Sequence, residues 1–293
     1  MTKRYSTWAP LAIAALVEIA AILGITERAI YARETASWTA QGIGQDWVDA
    51  VVCAPALTIS ALFAAHGSRR GRVVVGGLLI YVAYSFAIYA FAMHFNALFL
   101  VYCAVLGAAV FALVELIAVL HADAPRSWYG KRTPVRIAAA TLFGIAGVFG
   151  ALWLGQIVPA LARGEDPPGL VEVGLTVNPV HVLDLALLLP AMIVAGVTML
   201  RRKPMGIVLG PMLLVFGVMM AIAIGGMIAM MNARGIAFDL APAIVMAVLA
   251  TAGLVVVVAL LRRIRTPSFL RLSVVMLAVG CHRDPPPRLR QRA

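Results

Sequence analysis

Long apolar runs and short polar breaks alternate along this chain eight times. Crossing ~30 Å of hydrocarbon at ~1.5 Å per residue takes roughly 20 mainly apolar residues. Eight stretches meet that demand: Trp8–Ile25, Val48–Ala65, Val73–Met93, Ala97–Leu120, Ile137–Leu161, Val182–Leu200, Met205–Met231 and Leu240–Leu261. The runs are continuous rather than alternating and exceed the ~10 residues of a barrel strand, so they predict helices.

The pattern also repeats. Asp49, Pro55 and Gly71 recur 135 positions later as Asp184, Pro190 and Gly206. The same offset matches Ala56 with Ala191, Val73 with Val208, and Leu78-Leu79 with Leu213-Leu214. Polar loops of about 20 residues, Thr26 to Trp47 and Ala162 to His181, precede each Asp, and short basic loops lie at Arg69 and Arg201. Four spans is an even number, so both halves enter the membrane from the same side. The expectation is an all-α integral membrane protein of eight transmembrane helices arranged as two parallel four-helix repeats. Its pseudo-two-fold axis would run along the membrane normal, unlike the inverted repeats of many transporters. Residues 1–136 form the first repeat with its linking loop, 137–265 the second, and 266–293 a basic tail. The tail reads as interfacial from Phe269 to Val279 and disordered beyond. Gly206, Gly210, Gly225 and Gly226 offer close approach between the halves.

Composition agrees with a bilayer as solvent: 62% of residues are hydrophobic, 13% charged, and the mean hydropathy is +0.96. The net charge of +11 is not a nucleic-acid signature, because 20 of the 24 basic residues fall on one side of the predicted spans. They are Lys3 and Arg4, Arg69 to Arg72, Arg126 to Arg136, Arg201 to Lys203, and the tail from Arg262. The positive-inside rule then places both termini in the cytoplasm of a bacterial inner membrane, with anionic lipids as partners at that face. A signal peptide at the N-terminus is disfavoured: the first run is long, carries Glu18, and matches Gly144 to Leu161 by the same offset. Cys53, Cys103 and Cys281 show no metal spacing and predict no disulfide framework.

Several polar residues carry possible chemistry. Asp49 and Asp184 are expected at the outer mouth, in the first turn of the second and sixth spans, where free N–H groups stabilise an acid by about 0.3–1 kcal/mol. Each is either a cap or a site, and Pro55 and Pro190 six residues on would kink both helices and free carbonyls to line a cavity. The offset also pairs Asp46 with His181, each three residues before its Asp. With His94 and Asn96 in the third loop, an outer cluster of Asp46, Asp49, His94, His181 and Asp184 would suit a cation or a proton relay, though no spacing there resembles a metal motif. Glu18, in mid-span, costs about 2.5–3.5 kcal/mol on insertion scales. No Lys or Arg lies within a span, so its expected partners are Tyr81, Tyr84, Ser85 and Tyr89, a stripe on the third span. Glu115, nearer the inner end of the fourth span, reads as structural. No phosphate loop, zinc-protease pair, nucleophile elbow or retinal lysine is present, and no cofactor is expected.

Gly44-Gln45-Asp46, the stretch His94 to Phe99, and Asp184 to Pro190 followed by a basic turn resemble a family of polytopic bacterial membrane proteins to which no activity is attached. The resemblance covers most of the eight spans and implies the architecture alone. The paired Asp and Pro, with the unpaired carboxylate of Glu18 at mid-depth, give the functional expectation: a transporter or permease-like protein for a small solute, ion or proton. Alternatives are a membrane enzyme or redox protein with an outer-face His/Asp site, and a non-catalytic sensor or assembly protein that uses the basic tail. Oligomeric state is left open.

Overall fold

The computed structural model describes residues 8–123, 128–130, 133–236 and 240–264. All regular structure among them is helical, and eight helices are long and apolar enough to cross a membrane. These are α1 (Trp8–Thr26), α2 (Ala36–Ala65), α3 (Arg69–Ala92), α4 (Phe99–Ala122), α5 (Val135–Arg163), α6 (Pro179–Leu200), α7 (Pro204–Ala233) and α8 (Leu240–Arg263). The tail 266–293, the basic pair Lys3 and Arg4, and Cys281 lie outside the described residues.

One span departs from expectation. α2 starts at Ala36, inside the segment expected to be an outer loop, and Thr35 caps it by accepting from the Trp38 N–H (3.2 Å). The added turns escape an apolar search because their polar side chains point into the protein: Ser37, Gln45 and Asp46 are all buried. The two connections expected to match are therefore unequal, residues 27–35 in one case and 164–178 in the other. The second holds one short helical turn, Leu170–Val173; it leaves α5 through Gly164 in the left-handed region (φ 67°) and enters α6 through the Asn178 side-chain cap.

Each set of four helices closes a ring. α1 packs on α2 and α4, and α3 packs on the same two; α5 packs on α6 and α8, and so does α7. α3 and α7 are the central helices, with 67% of their apolar windows buried against 22–44% for the others. They pack on each other, and α7 also runs along the first half of α2. Lipid is as apolar as Leu, so close backbone approach and interhelical hydrogen bonds, rather than transfer from water, hold such helices together. One close approach is at Gly44 of α2 and Gly226 of α7. A Cβ on Gly44 would stand 2.6 Å from the Gly226 carbonyl oxygen and 2.7 Å from Met227 Cα. Gly71 and Gly206 each meet the backbone of the preceding helix, whereas Gly225 faces open space.

The polar faces are tied separately. At the basic face Arg69 grips Asp123 with two hydrogen bonds (2.6 and 2.9 Å) while its guanidinium lies over the Trp128 ring. Arg70 donates to the carbonyls of Arg262 and Ile264 at the end of α8, where the helix leaves its last carbonyls free.

Candidate functional site

Both Asp/Pro pairs sit on the same local device. In α2 the turn Asp49–Cys53 is π-helical, closed by the Ala54 N–H on the Asp49 carbonyl; in α6 the turn Asp184–Leu188 is π-helical, closed by the Leu189 N–H on the Asp184 carbonyl. Proline is the cause. Pro55 and Pro190 have no N–H, and in a regular helix their rings would strike the carbonyls of Val51 and Ala186, so the backbone widens by one residue just before each. Neither Asp caps a helix, which corrects the first-turn expectation. Asp49 lies 13 residues into α2, and α6 takes its cap from Asn178. Measured from the other end, however, both stand 16 residues before the helix terminus, at Ala65 and Leu200, or about 24 Å at ~1.5 Å per residue.

Within the first four helices the acids are enclosed by tyrosines. Asp46 accepts from Tyr31 (2.6 Å) and Tyr89 (2.7 Å), and Asp49 accepts from Tyr81 (2.7 Å). Gln45 Nε2 donates to Tyr81 Oη (2.9 Å) and Ser85 Oγ (2.8 Å), extending the network along α3. Tyr89 stacks on Tyr102, and Phe86 meets both edge-on, so the space around the acids is filled. Tyr31 lies outside the spans; burial, reinforced by the Asp46 charge, pushes its phenol well above the ordinary range. Every donor to these acids is neutral. One turn apart, two ionised carboxylates at ~6 Å would repel by about 3 kcal/mol at an effective dielectric of 20. A proton on one of them removes that repulsion, so proton uptake is the chemistry this pair can perform.

The second four helices are built differently. Asp184 accepts from Tyr84 (3.1 Å) across from α3 and from the Trp153 indole N–H (2.8 Å) of α5. His181 is buried one turn earlier, its ring 4.6 Å from that of Trp153. Asp184 borders a cavity of about 350 Å³ lined by α5, α6, α7 and α8 and closed on the side of the first four helices by Gln41, Gln45, Tyr84 and Ile88.

The remaining expected residues sit elsewhere. His94 is at the surface, its N–H donating to Glu34 Oε1 (2.7 Å) and its ring Nδ1 3.0 Å from Oε2. Asn96 accepts from the Leu98 N–H (2.9 Å) in the turn that leads into α4. The outer cluster is thus split: Asp46 and Asp49 lie inside one ring, His181 and Asp184 inside the other, and His94 in neither. Glu18 is half-buried in α1 and makes no hydrogen bond among the described residues. Its expected partners serve other acids, Tyr81, Ser85 and Tyr89 in the network of Asp46 and Asp49, and Tyr84 on Asp184. Among the described residues no group of three or more His, Cys, Asp and Glu converges as a metal site.

Trp153, Tyr31, Gln41 and Asn178 were not singled out from the sequence. Trp153 had a signal, since it stands 135 positions after Glu18 and so at the depth of a polar residue in the first half. Tyr31 and Gln41 fell in the segment read as loop. No protein-family model, no curated protein and no solved structure matches this chain.

Proposed function

We propose that this chain is a permease-like carrier of a small solute or protons, built from two parallel four-helix units. The units are residues 1–136 and 137–265, with both termini cytoplasmic in a bacterial inner membrane and anionic lipid at the basic face. The duplication is supported by the two π-helical turns on the paired Asp and Pro, by their equal distance from the helix ends, and by the same ring of neighbours in each half. The carrier reading rests on one observation: a cavity of about 350 Å³, bordered by helices of both halves, whose lining among the described residues carries one carboxylate and no basic side chain. Pockets of this kind, mainly apolar with a few converging polar groups, are the usual form of small-molecule sites, and they sit at the repeat interface in transporters.

A π-helical turn next to the acid supplies the mobility such a site needs, since the widened turn can migrate or relax with a small rotation of the segment before it. The Asp46/Asp49 pair is the natural place for the proton. Proteoliposomes holding the purified protein and a trapped pH dye, driven by a potassium diffusion potential, test the reading. A proton or monovalent-cation flux above that of protein-free vesicles, lost in Asp184→Asn, is expected. A flux indistinguishable from empty vesicles across both ions would remove the ionic carrier. The enzyme and redox alternative would instead show metal or haem in the purified protein, lost in His181→Ala.

A further inference from the structure

We infer that the cavity at Asp184 is a binding site for a lipophilic organic monocation, an alkyl- or arylammonium compound or its phosphonium equivalent. The inference deepens the carrier reading and rests on it for the cavity's role, but not for its chemistry. Four features of the lining define the ligand.

The first is charge. Among the described residues Asp184 is the only formally charged one bordering the cavity; the other polar groups, among them Gln41, Gln45, Asn178 and the Trp153 N–H, are neutral. A buried carboxylate without a basic partner takes either a proton or a cation, because an uncompensated charge in this setting is too costly. The second is a looser set of donors. A phenol donating to an ionised carboxylate ordinarily closes to about 2.5–2.7 Å. Asp46 receives its two phenols at 2.6 and 2.7 Å, while Asp184 receives the Trp153 indole N–H at 2.8 Å and its one phenol, Tyr84, at 3.1 Å. Asp46 is also walled in by Tyr31, Tyr89 and Tyr102, whereas Asp184 opens on empty volume. The room for a counter-charge is therefore at Asp184.

The third feature is aromatic. Tyr84, Phe149, Trp153 and Phe216 all border the cavity, with Phe149 and Trp153 in contact (5.9 Å) on one side and Tyr84 edge-on to Phe216 (5.5 Å) on the other. Ring faces hold weakly hydrated organic cations by their quadrupoles and do not favour anions. The fourth is methionine: Met192, Met220, Met227, Met231 and Met246 join aliphatic residues in the lining. Methionine is unbranched and polarisable and repacks around differing shapes, so this lining accepts an apolar body without dictating its outline. A divalent inorganic cation is disfavoured by the same lining, since its lost water shell would be replaced by one carboxylate and a few neutral groups.

Equilibrium dialysis of the detergent-purified protein against labelled tetraphenylphosphonium, with tetraphenylborate as a probe of the same shape and opposite charge, tests this. Saturable binding of the phosphonium is expected at one per chain, with the borate at least tenfold weaker. Asp184→Asn should weaken phosphonium binding tenfold or more, and Arg163→Ala, at the exposed end of α5, should leave it unchanged. Protons compete for the same carboxylate, so affinity should fall as pH is lowered, with up to one proton released per cation bound. Among the described residues the titratable groups near Asp184 are Tyr84 from α3 and His181 on α6 itself; the described lining residues of α5, α7 and α8 carry none. If Asp184→Asn does not fold, this pH dependence in the native protein decides. Equal binding of both probes, binding that is indifferent to Asp184 and pH, or no binding of either would overturn the inference. Binding as expected without phosphonium flux in proteoliposomes would overturn the carrier reading and leave the cation site standing.

Discussion

Replacing Gly44 by alanine puts one methyl group where two helices have no room for it. The added Cβ would stand 2.6 Å from the Gly226 carbonyl oxygen, 2.7 Å from Met227 Cα and 2.9 Å from the Gly226 carbonyl carbon, all of them backbone atoms. No flexible side chain can yield, so α2 and α7 must part by about 0.8 Å to restore a contact near 3.4 Å. Overpacking of this order costs about 1–3 kcal/mol. The loss falls on the main seam between the two sets of helices, where the first half of α2 lies along α7. Gly225, the neighbour of Gly226, is the control. A Cβ there meets nothing within 4 Å, so Gly225→Ala should be neutral or stabilise by up to about 1 kcal/mol through helix propensity. Thermal unfolding in one detergent, followed by circular dichroism, should give Gly44→Ala a midpoint several degrees below the native protein and Gly225→Ala a midpoint at or above it. Equal midpoints for Gly44→Ala and the native protein, or equal losses for both variants, would refute the packing of α2 on α7.

Other expectations follow from the ends of the helices. The Tyr31 phenol has its pKa raised by burial and by Asp46, and Tyr129 by burial, so their protonated forms contribute stability fully present below about pH 10 and lost as pH rises through the folded-state values. Absorbance titration at alkaline pH should place Tyr31 and Tyr129 among the tyrosines that fail to ionise until unfolding, with that delayed amplitude smaller by one residue in Tyr31→Phe; all seven tyrosines ionising together near pH 10 would contradict it. Arg69→Ala removes a bidentate ion pair and a cation–π contact at the basic face. As both partners are partly exposed, a loss of about 1 kcal/mol that shrinks at high salt is expected, and a loss unaffected by salt would assign it to packing. With the termini inside, an impermeant maleimide should reach cysteines placed at Phe95 and Glu165 in intact cells but not one at Arg202. Ser37, buried in α2, should stay unlabelled, and labelling of Arg202 would invert the proposed topology.

The eight spans were legible because continuous apolar length is an unambiguous demand of the bilayer. The first half of α2 was not. There Ser37, Gln41 and Gln45 recur at helical spacing and turn inward, the reverse of the pattern that marks a soluble helix, so a hydropathy reading takes them for loop. That one displacement carried the errors that followed. With α2 started too late, Asp49 looked like a cap, Asp46 like a loop residue, and the tyrosines of α3 had no acid in reach except Glu18. The Asp and Pro spacing, by contrast, was legible as a pair and marks both π-helical turns, since a proline six residues after the acid forces the wide turn between them. Pairing across helices, such as Tyr84 to Asp184 or Trp153 to Asp184, depends on rotation about each helix axis. Composition and spacing within one span do not encode that rotation.

Under the proposed duplication, the difference between a filled half and a hollow one reduces to a few positions of α3 and α7. Phe86 and Tyr89, which pack with Tyr102 around the first pair of acids, stand 135 positions before Ala221 and Ile224, both bordering the cavity. The loss of aromatic volume at these two positions is what leaves room beside Asp184. Ala221 is buried but faces that volume, so Ala221→Phe is an overpacking substitution with somewhere to go. It should leave the thermal midpoint within about 1 kcal/mol of native, unlike the 1–3 kcal/mol of a closed core, and it should abolish phosphonium binding by occupying the site. Xenon or a small arene diffused into crystals of the native protein and of the variant would report the volume directly, present beside Asp184 in the first and absent in the second. A variant that unfolds like an overpacked core would mean that the half around α7 is as solid as the half around α3. The hollow would then have to be sought where the two halves meet at Gln41 and Gln45 rather than within the second ring.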